Sequence, residues 1–532
     1  MLSQETQKFI DRYKNHQEKN SSEATISVDE VALKVASFYE KIRGIIDWKE
    51  EHLLKRSIIE RVFRRKILSV VSIVDDKFII NEKIPADSLV LELIRTGHFP
   101  NNEIKESKIE QVQRTIDKYI YLINQSNQYQ WLSSIAACEI EEILTPSLKQ
   151  RLLMHYMYHS LKEKIKISSD FEISENEKNV QIYINVQKAL FDLDSSVISY
   201  HLIKHLYPGW INLDSDKLSE ISQKINEIKD SIEKSLDYPL SGKIYQICQK
   251  YNTPYLIISD IVETNPENIS QPQEFEKLIR ENYNQRVKTL KSRLNRAAFY
   301  STVSIFLTNI LILLLLEIPF SKYFWQRPSS NYEIEVLGQT LPISFLIATI
   351  FFPTLLMAFL VLTVKTPKPT NLEKVIMETM KIAYNNEKKD FYEVKKLRQK
   401  GAFFNFLLFF VYSVSFLFSL GIIVWLLSKI NYPPFSYLVF VVFLSLIAFA
   451  GVKIRDKAQE LSMIDEKESF LTTLIDFFAL PILYLGKWLS SRWKRYNIVS
   501  VFFNALIDMP FSAFIEFIEQ WRFFLKEKKE KL

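Results

Sequence analysis

The chain has 532 residues and a formal net charge of +6, enough length for two to four domains, and it carries only nine glycines and two cysteines. Few glycines leave few positive-φ turns and no phosphate-cradling loop, which argues against sheet-rich and nucleotide-binding folds. Two cysteines, Cys138 and Cys248, are too few for a disulfide framework and suit a reducing compartment, and the scattered lysines fit an anionic membrane leaflet better than nucleic acid.

The composition changes along the chain. Residues 1 to about 296 are charged and lysine-rich, whereas most of the 38 phenylalanines follow Phe299 in runs that a water-soluble domain of this size does not expose. The expected fold class is therefore all-α: a helical cytoplasmic N-terminal region followed by a polytopic α-helical membrane domain. The start, MLSQETQKFIDRYKNHQEKN, has no apolar core, so no cleavable signal peptide is expected.

In chain order, a capping box at Ser27 to Glu30 opens a helical stretch with Val31, Val35, Phe38, Ile42 and Ile45 on one face. The basic run Arg61, Arg64, Arg65, Lys66 follows, read as a solvated helical face rather than a lipid or RNA contact. Further helices are expected at 105–124, 130–144, 146–166, 175–193, 195–206, 214–236, 240–251 and 271–298. Glu139, Glu141 and Glu142 lack the Glu-x-x-His spacing of a di-iron half-site and read as a solvated face. Leu218, Ile221, Ile225, Ile228 and Ile232 keep coiled-coil spacing over about two heptads, which either an intramolecular helical hairpin or a second chain could satisfy. The loop Tyr207 to Asp216 is the expected break, giving a helical domain 1–213 and a connector 214–298 that runs into the first span.

Four apolar segments pass the length test for crossing about 30 Å of hydrocarbon, at roughly 299–319, 341–364, 402–428 and 435–452. The domain 299–454 thus has four spans and a basic loop, 365–401, with ten Lys or Arg. Positive flanks place that loop and both termini in the cytoplasm, with the plasma membrane of a bacterium as the expected location. The segments 470–489 and 498–517 each hold an aspartate and a proline and are separated by the basic, Trp-bearing run Lys487, Trp488, Arg492, Trp493, Lys494, Arg495. Together with Trp521 these residues are expected at headgroup depth, making 455–532 a pair of interfacial amphipathic helices. The alternative is six spans and a channel or transporter.

His155 with His159, and His201 with His205, each stand at i and i+4, adjacent on a helix face. Two such pairs could offer zinc four nitrogen ligands; otherwise His155 and His159 share the sector of Leu148 and Leu152 as partly buried core, and His205 suits a helix C-terminus. Tyr156 and Leu202 stand where an H-E-x-x-H metalloprotease needs glutamate, and no hydrolase, P-loop, redox or kinase motif occurs. The expected role is a non-enzymatic scaffold or interaction platform, with a protein partner or a second copy as the body's ligand. A metal-binding sensor or enzyme is a lower alternative.

The stretches Glu466 to Trp493 with Arg495 to Asn497, and Gln181 to Trp210, resemble an uncharacterised family of multi-pass α-helical membrane proteins from small-genome bacteria. That resemblance implies a membrane location and brings no activity or site residues.

Overall fold

The computed structural model describes residues 2–15, 24–28, 34, 51–74, 77–95, 99, 101–126, 128–168, 173–319, 333–336, 339–362, 364, 367–384, 391–394, 401–429, 432, 434–463, 477, 479–490 and six positions between 517 and 528. The Ser27 capping box helix, Arg492, Trp493, Lys494, Arg495 and the segment 498–516 lie outside the described residues in whole or in the main part. The chain is overwhelmingly helical and divides into two units. Unit 1 comprises Met1–Ile279, Met377–Lys396 and Phe503–Leu532; unit 2 comprises Arg280–Ile376 and Leu397–Phe502.

Unit 1 begins with α1 (Gln4–Lys14), α2 (Glu51–Val70), the β1–β2 hairpin (Val71–Val74, Lys77–Ile80) and α3 (Ala86–Arg95). Next come α4 (Ser107–Gln125), α5 (Tyr129–Leu144), α6 (Leu148–Lys162), β3 (Ile165–Ile167), α7 (Glu175–Phe191) and α8 (Ser195–Leu206). The series closes with α9 (Ser215–Leu236) and α10 (Ser241–Thr264). Starts are set by side-chain caps: the Ser3, Ser174 and Asp194 oxygens accept from the backbone N–H of Thr6, Glu177 and Val197, satisfying donors that no preceding turn can reach. Helix α7 stops at Asp192, whose φ of 48° turns the chain left-handed. The core forms where α5 packs against α2, α4 and α8, and where α7 lies along α10.

Several expectations change here. Helix α10 does not end at residue 251 but continues through Pro254, because Asn252, Thr253 and Pro254 are buried and the Asn252 amide donates to the Ala189 carbonyl at 3.0 Å, so tertiary contacts outweigh the proline penalty. The α9 seam is filled by its own chain: Ile225, Ile228 and Ile232 are buried and α9 packs on α4, α7 and α8. The loop Tyr207–Asp216 is no boundary, since Trp210 is fully buried and α9 belongs to the same unit. The segment 377–396 joins unit 1 through β6 (Tyr392–Val394), which runs parallel to β3. Its upstream end is tied by Ser3 N–H to the Ala383 carbonyl at 2.8 Å and by the Tyr384 hydroxyl to the Ile269 carbonyl at 2.5 Å.

Helix α11 (Pro272–Ile312) runs from the end of unit 1 into unit 2 and passes into a π turn, Leu313–Glu317. A hairpin, β4–β5 (Glu333–Val336, Gln339–Pro342), precedes the short helix Ile343–Leu346, a second π turn at Ile347–Phe351 and α12 (Phe352–Leu362). Then come α13 (Thr370–Ala383), α14 (Ala402–Lys429) and α15 (Pro434–Ala458). Three helices are long and apolar enough to cross a membrane: Pro272–Leu315, Ala402–Lys429 and Ser436–Ala458. The second expected span is a shorter apolar helix, Ile347–Leu362.

Candidate functional site

Histidine pairs and carboxylates converge where α5, α6, α7 and α8 meet. His155 and His159 sit one turn apart on α6 with ring centroids 6.2 Å apart, Tyr158 lies edge-on to His159, Tyr158 meets Tyr183 of α7, and Tyr183 stacks on His205 of α8 at 4.9 Å. A ladder of rings thus links the two pairs. His201 is held apart by its own bond, Nδ1 to the Gln187 side-chain oxygen at 2.6 Å. Burial, assisted by the Lys204 ammonium, pushes His201 down to about 3, so the ring is neutral and its Nδ1 donates. Burial also lowers His155, with the charge of His159 adding to it, and lowers His205, with Lys162 adding. Among the described residues no three His, Cys, Asp or Glu are grouped so as to hold a metal ion. The fold brings the histidines into one neighbourhood without gathering their nitrogens around a common point.

The glutamates of α5 are not a solvated face. Glu139 is 2% exposed: one oxygen accepts from Lys118 Nζ at 2.6 Å and Thr115 Oγ1 at 3.3 Å, the other from the Tyr119 hydroxyl at 2.9 Å. Lys118 also donates to the Trp210 carbonyl at 3.1 Å, and Trp210 Nε1 donates to the Tyr119 hydroxyl at 3.1 Å. This buried network is fully paired, and it needs Lys118 and Trp210 from separate parts of the chain, which no local spacing reveals. Burial pushes Glu142 up, but Lys204 and the Tyr200 hydroxyl, which donate to it, outweigh burial and hold it below the usual carboxylate range. Burial raises Glu141 to about 7 against the pull of Arg56 and Lys55. The basic run of α2 is likewise engaged within the fold: Arg64 pairs with Glu60 at 2.6 Å and donates to the Gln130 carbonyl, and Lys66 pairs with Glu92 at 3.3 Å.

This network supports a surface feature that sequence reading took for a loop. Trp210 is clamped from below, while Leu206, Tyr207 and Ile211 around it are 44%, 37% and 52% exposed. They form an apolar knuckle on a rigid base, at the turn from α8 to α9. The proline-glycine pair Pro208-Gly209 signals a turn, but the anchoring contacts to Trp210 come from Lys118 and Tyr119, 92 and 91 positions earlier.

Of the expected membrane-interface residues, Lys487 and Trp488 lie on a helical stretch within 479–490 and are exposed, and Trp521 is 53% exposed. Trp521 stacks on Phe517 and meets Phe524 at a tilt, and Lys528 lies over the Phe524 ring. Phe477 and Gly486 make contacts with α14 and α15. Ser415 Oγ donates to the Phe477 carbonyl at 3.3 Å, Tyr412 stacks on Phe477, and Gly486 lies so close to the Ser445 carbonyl that a Cβ would have no room. Ser415 and Ser445 stand near the middle of α14 and α15, so this stretch packs along the helices rather than at their ends. Small residues permit that approach, and Gly486 was legible as glycine but not as a contact. No protein-family model, curated protein or solved structure matches the chain.

Proposed function

We propose that the protein is a non-enzymatic scaffold anchored in a bacterial plasma membrane, whose helical body docks a protein partner on the cytoplasmic face. The knuckle carries this reading: Leu206, Tyr207 and Ile211 are exposed apolar side chains on a base fixed by Trp210, the kind of preorganised anchor that makes a hot spot. Anchoring is supported by α14, whose apolar window is only 11% buried, with Phe403, Phe406, Phe409 and Leu417 at 80%, 65%, 70% and 70% exposure, a surface suited to lipid. The cytoplasmic assignment of body and loop is supported by connectivity. The chain leaves unit 1 at residue 279 and is back in it by 377, so an even number of crossings fits that excursion.

A photo-crosslinking amino acid at Ile211 in the full-length protein in cells tests the docking reading. The expected result is one discrete adduct, to a partner or a second copy, that is lost when Tyr207→Asp is added. The reading fails if Ile211 gives no more adduct than the same probe at Glu227, an exposed polar position on α9.

A six-span channel or transporter is the second reading, favoured by the packing of Phe477 and Gly486 along the middle of α14 and α15. Labelling of a Ser491→Cys protein by an impermeant thiol reagent in intact cells would support it; labelling only after permeabilisation supports the four-span anchor.

A further inference from the structure

Among the described residues of unit 2, Glu317 is a carboxylate in an apolar setting that neither scaffolding nor anchoring explains. Glu317 is 0% exposed and ends the first π turn. Thr349 Oγ1, in the middle of the second π turn, donates to Glu317 Oε2 at 3.3 Å and lies 2.7 Å from the Tyr432 hydroxyl. Around them stand Leu313, Ile318, Phe345, Ala348, Leu427 and Phe440. Glu317 Oε1 has no hydrogen-bond partner among the described residues, nor has the buried Ser436 Oγ one turn after Tyr432.

We propose that Glu317 is a proton-exchange site within the membrane unit, wired through Thr349 to Tyr432. First, an ionised carboxylate with a single long hydrogen bond and no counter-charge is a costly tenant of an apolar site, whereas a carboxyl group and its anion can alternate there if water gains access. Second, the three groups form a chain that can run in either direction. With Glu317 ionised, the Tyr432 hydroxyl donates to Thr349 and Thr349 to Oε2. With Oε2 protonated, Glu317 donates to Thr349 and Thr349 to Tyr432. A proton taken up by Tyr432 Oη while its own passes to Thr349, and that of Thr349 to Glu317, moves one charge with no change at carbon and no redox partner. Third, both members of the Glu317–Thr349 contact lie on π turns, local departures from α geometry that are frequent at functional sites. Asn309, two turns earlier on α11, adds a buried amide nitrogen, Nδ2, with no hydrogen-bond partner among the described residues. Tyr432 comes from the turn between α14 and α15, Glu317 from the π turn after α11 and Thr349 from the π turn before α12, so three separate stretches of unit 2 meet at the cluster.

The proposal rests on unit 2 lying in a bilayer, which alkaline carbonate extraction of native membranes checks separately. The test is modification of the full-length protein in those membranes by the hydrophobic reagent dicyclohexylcarbodiimide, which attacks protonated carboxyls, read by peptide mass spectrometry. The expected adduct is on Glu317, falling about tenfold per pH unit above its midpoint and absent in Glu317→Gln. Thr349→Val is expected to shift that midpoint while leaving the adduct in place, which a packing role alone would not do. No adduct at Glu317 in membrane-retained protein overturns the proposal. So does equal modification at every pH, or by a water-soluble carbodiimide. Protection by sodium ions but not by potassium at constant pH would also overturn it, by making the site one for a metal cation.

Discussion

Replacing Lys118 with methionine isolates the contribution of the buried network under the knuckle. The substitution keeps most of the side-chain length but removes the ammonium that lies 2.6 Å from Glu139 and 3.1 Å from the Trp210 carbonyl. Glu139, at 2% exposure, then keeps only the Tyr119 and Thr115 donors, and a buried charge left without its partner costs about 3–5 kcal/mol. Removing both charges, in Lys118→Met with Glu139→Leu, leaves no buried ion and orphans only the Tyr119 hydroxyl and the Trp210 carbonyl, for about 1–3 kcal/mol. The double variant is therefore expected to be more stable than Lys118→Met alone, a non-additivity that separate surface pairs do not show. Hydrogen exchange of the full chain in detergent, read on peptides covering 129–144, reports the opening free energy. At 1.36 kcal/mol per decade, 3–5 kcal/mol appears as exchange faster by about a hundred-fold to a few thousand-fold. If Lys118→Met speeds exchange less than about fivefold, Glu139 is reached by water and the burial argument is wrong.

His201 supplies a pH signature. With a folded value of about 3 against 6.5 unfolded, the unfolded chain binds more protons between those limits, so stability falls as pH drops through that window. The loss between pH 7.5 and 5.0 is about 2 kcal/mol. His201→Asn, which keeps a donor toward Gln187, is expected to remove it; unchanged pH dependence of α8 hydrogen exchange would contradict this. Glu141 has the opposite sign: its folded value of about 7 lies above the ordinary 4.5, so the folded state binds more protons there and stability falls as pH rises from 4.5 to 7. Glu141→Gln is expected to gain up to about 3 kcal/mol at pH 8, again read by exchange, and no gain there would show that the carboxyl is well solvated. In unit 2, Gly486→Ala must push against the Ser445 backbone and is expected to cost about 1–3 kcal/mol, lowering the thermal midpoint in detergent. Gly421→Ala, with nothing within 4 Å of the added Cβ, is expected to be neutral; equal effects would refute the close approach.

What the sequence could disclose was local. Helices α4 to α9 follow from apolar periodicity, and the caps at Ser174 and Asp194 end within a residue or two of where the pattern begins. The apolar runs gave the three long membrane-compatible helices for the same reason, since length and hydropathy are properties of a segment. What stayed hidden was set by distant partners. Glu139 looks like one of three surface acids until Lys118, Tyr119 and Trp210 enclose it. Three residues of β6 carry no strand pattern of their own and acquire one by pairing with Ile165–Ile167. Thr349 and Tyr432 are ordinary polar residues near apolar segments, and only helix packing brings them to Glu317. The histidine pairs show the converse: i, i+4 spacing promised a cluster, and the fold delivers the proximity while spending His201 on Gln187.

In the four-span scaffold proposed above, the body and the loop after α12 share one side of the membrane and the α14–α15 turn lies on the other. Single cysteines at Lys14, Glu393 and Ser428, all exposed, in a chain with the buried Cys138 and Cys248 replaced, can be challenged with an impermeant thiol reagent in intact and permeabilised cells. The expected result is labelling of Lys14→Cys and Glu393→Cys only after permeabilisation, and of Ser428→Cys in intact cells. Labelling of Lys14→Cys and Glu393→Cys from opposite sides would put α1 and β6 on different faces of the membrane and contradict the four-span scaffold.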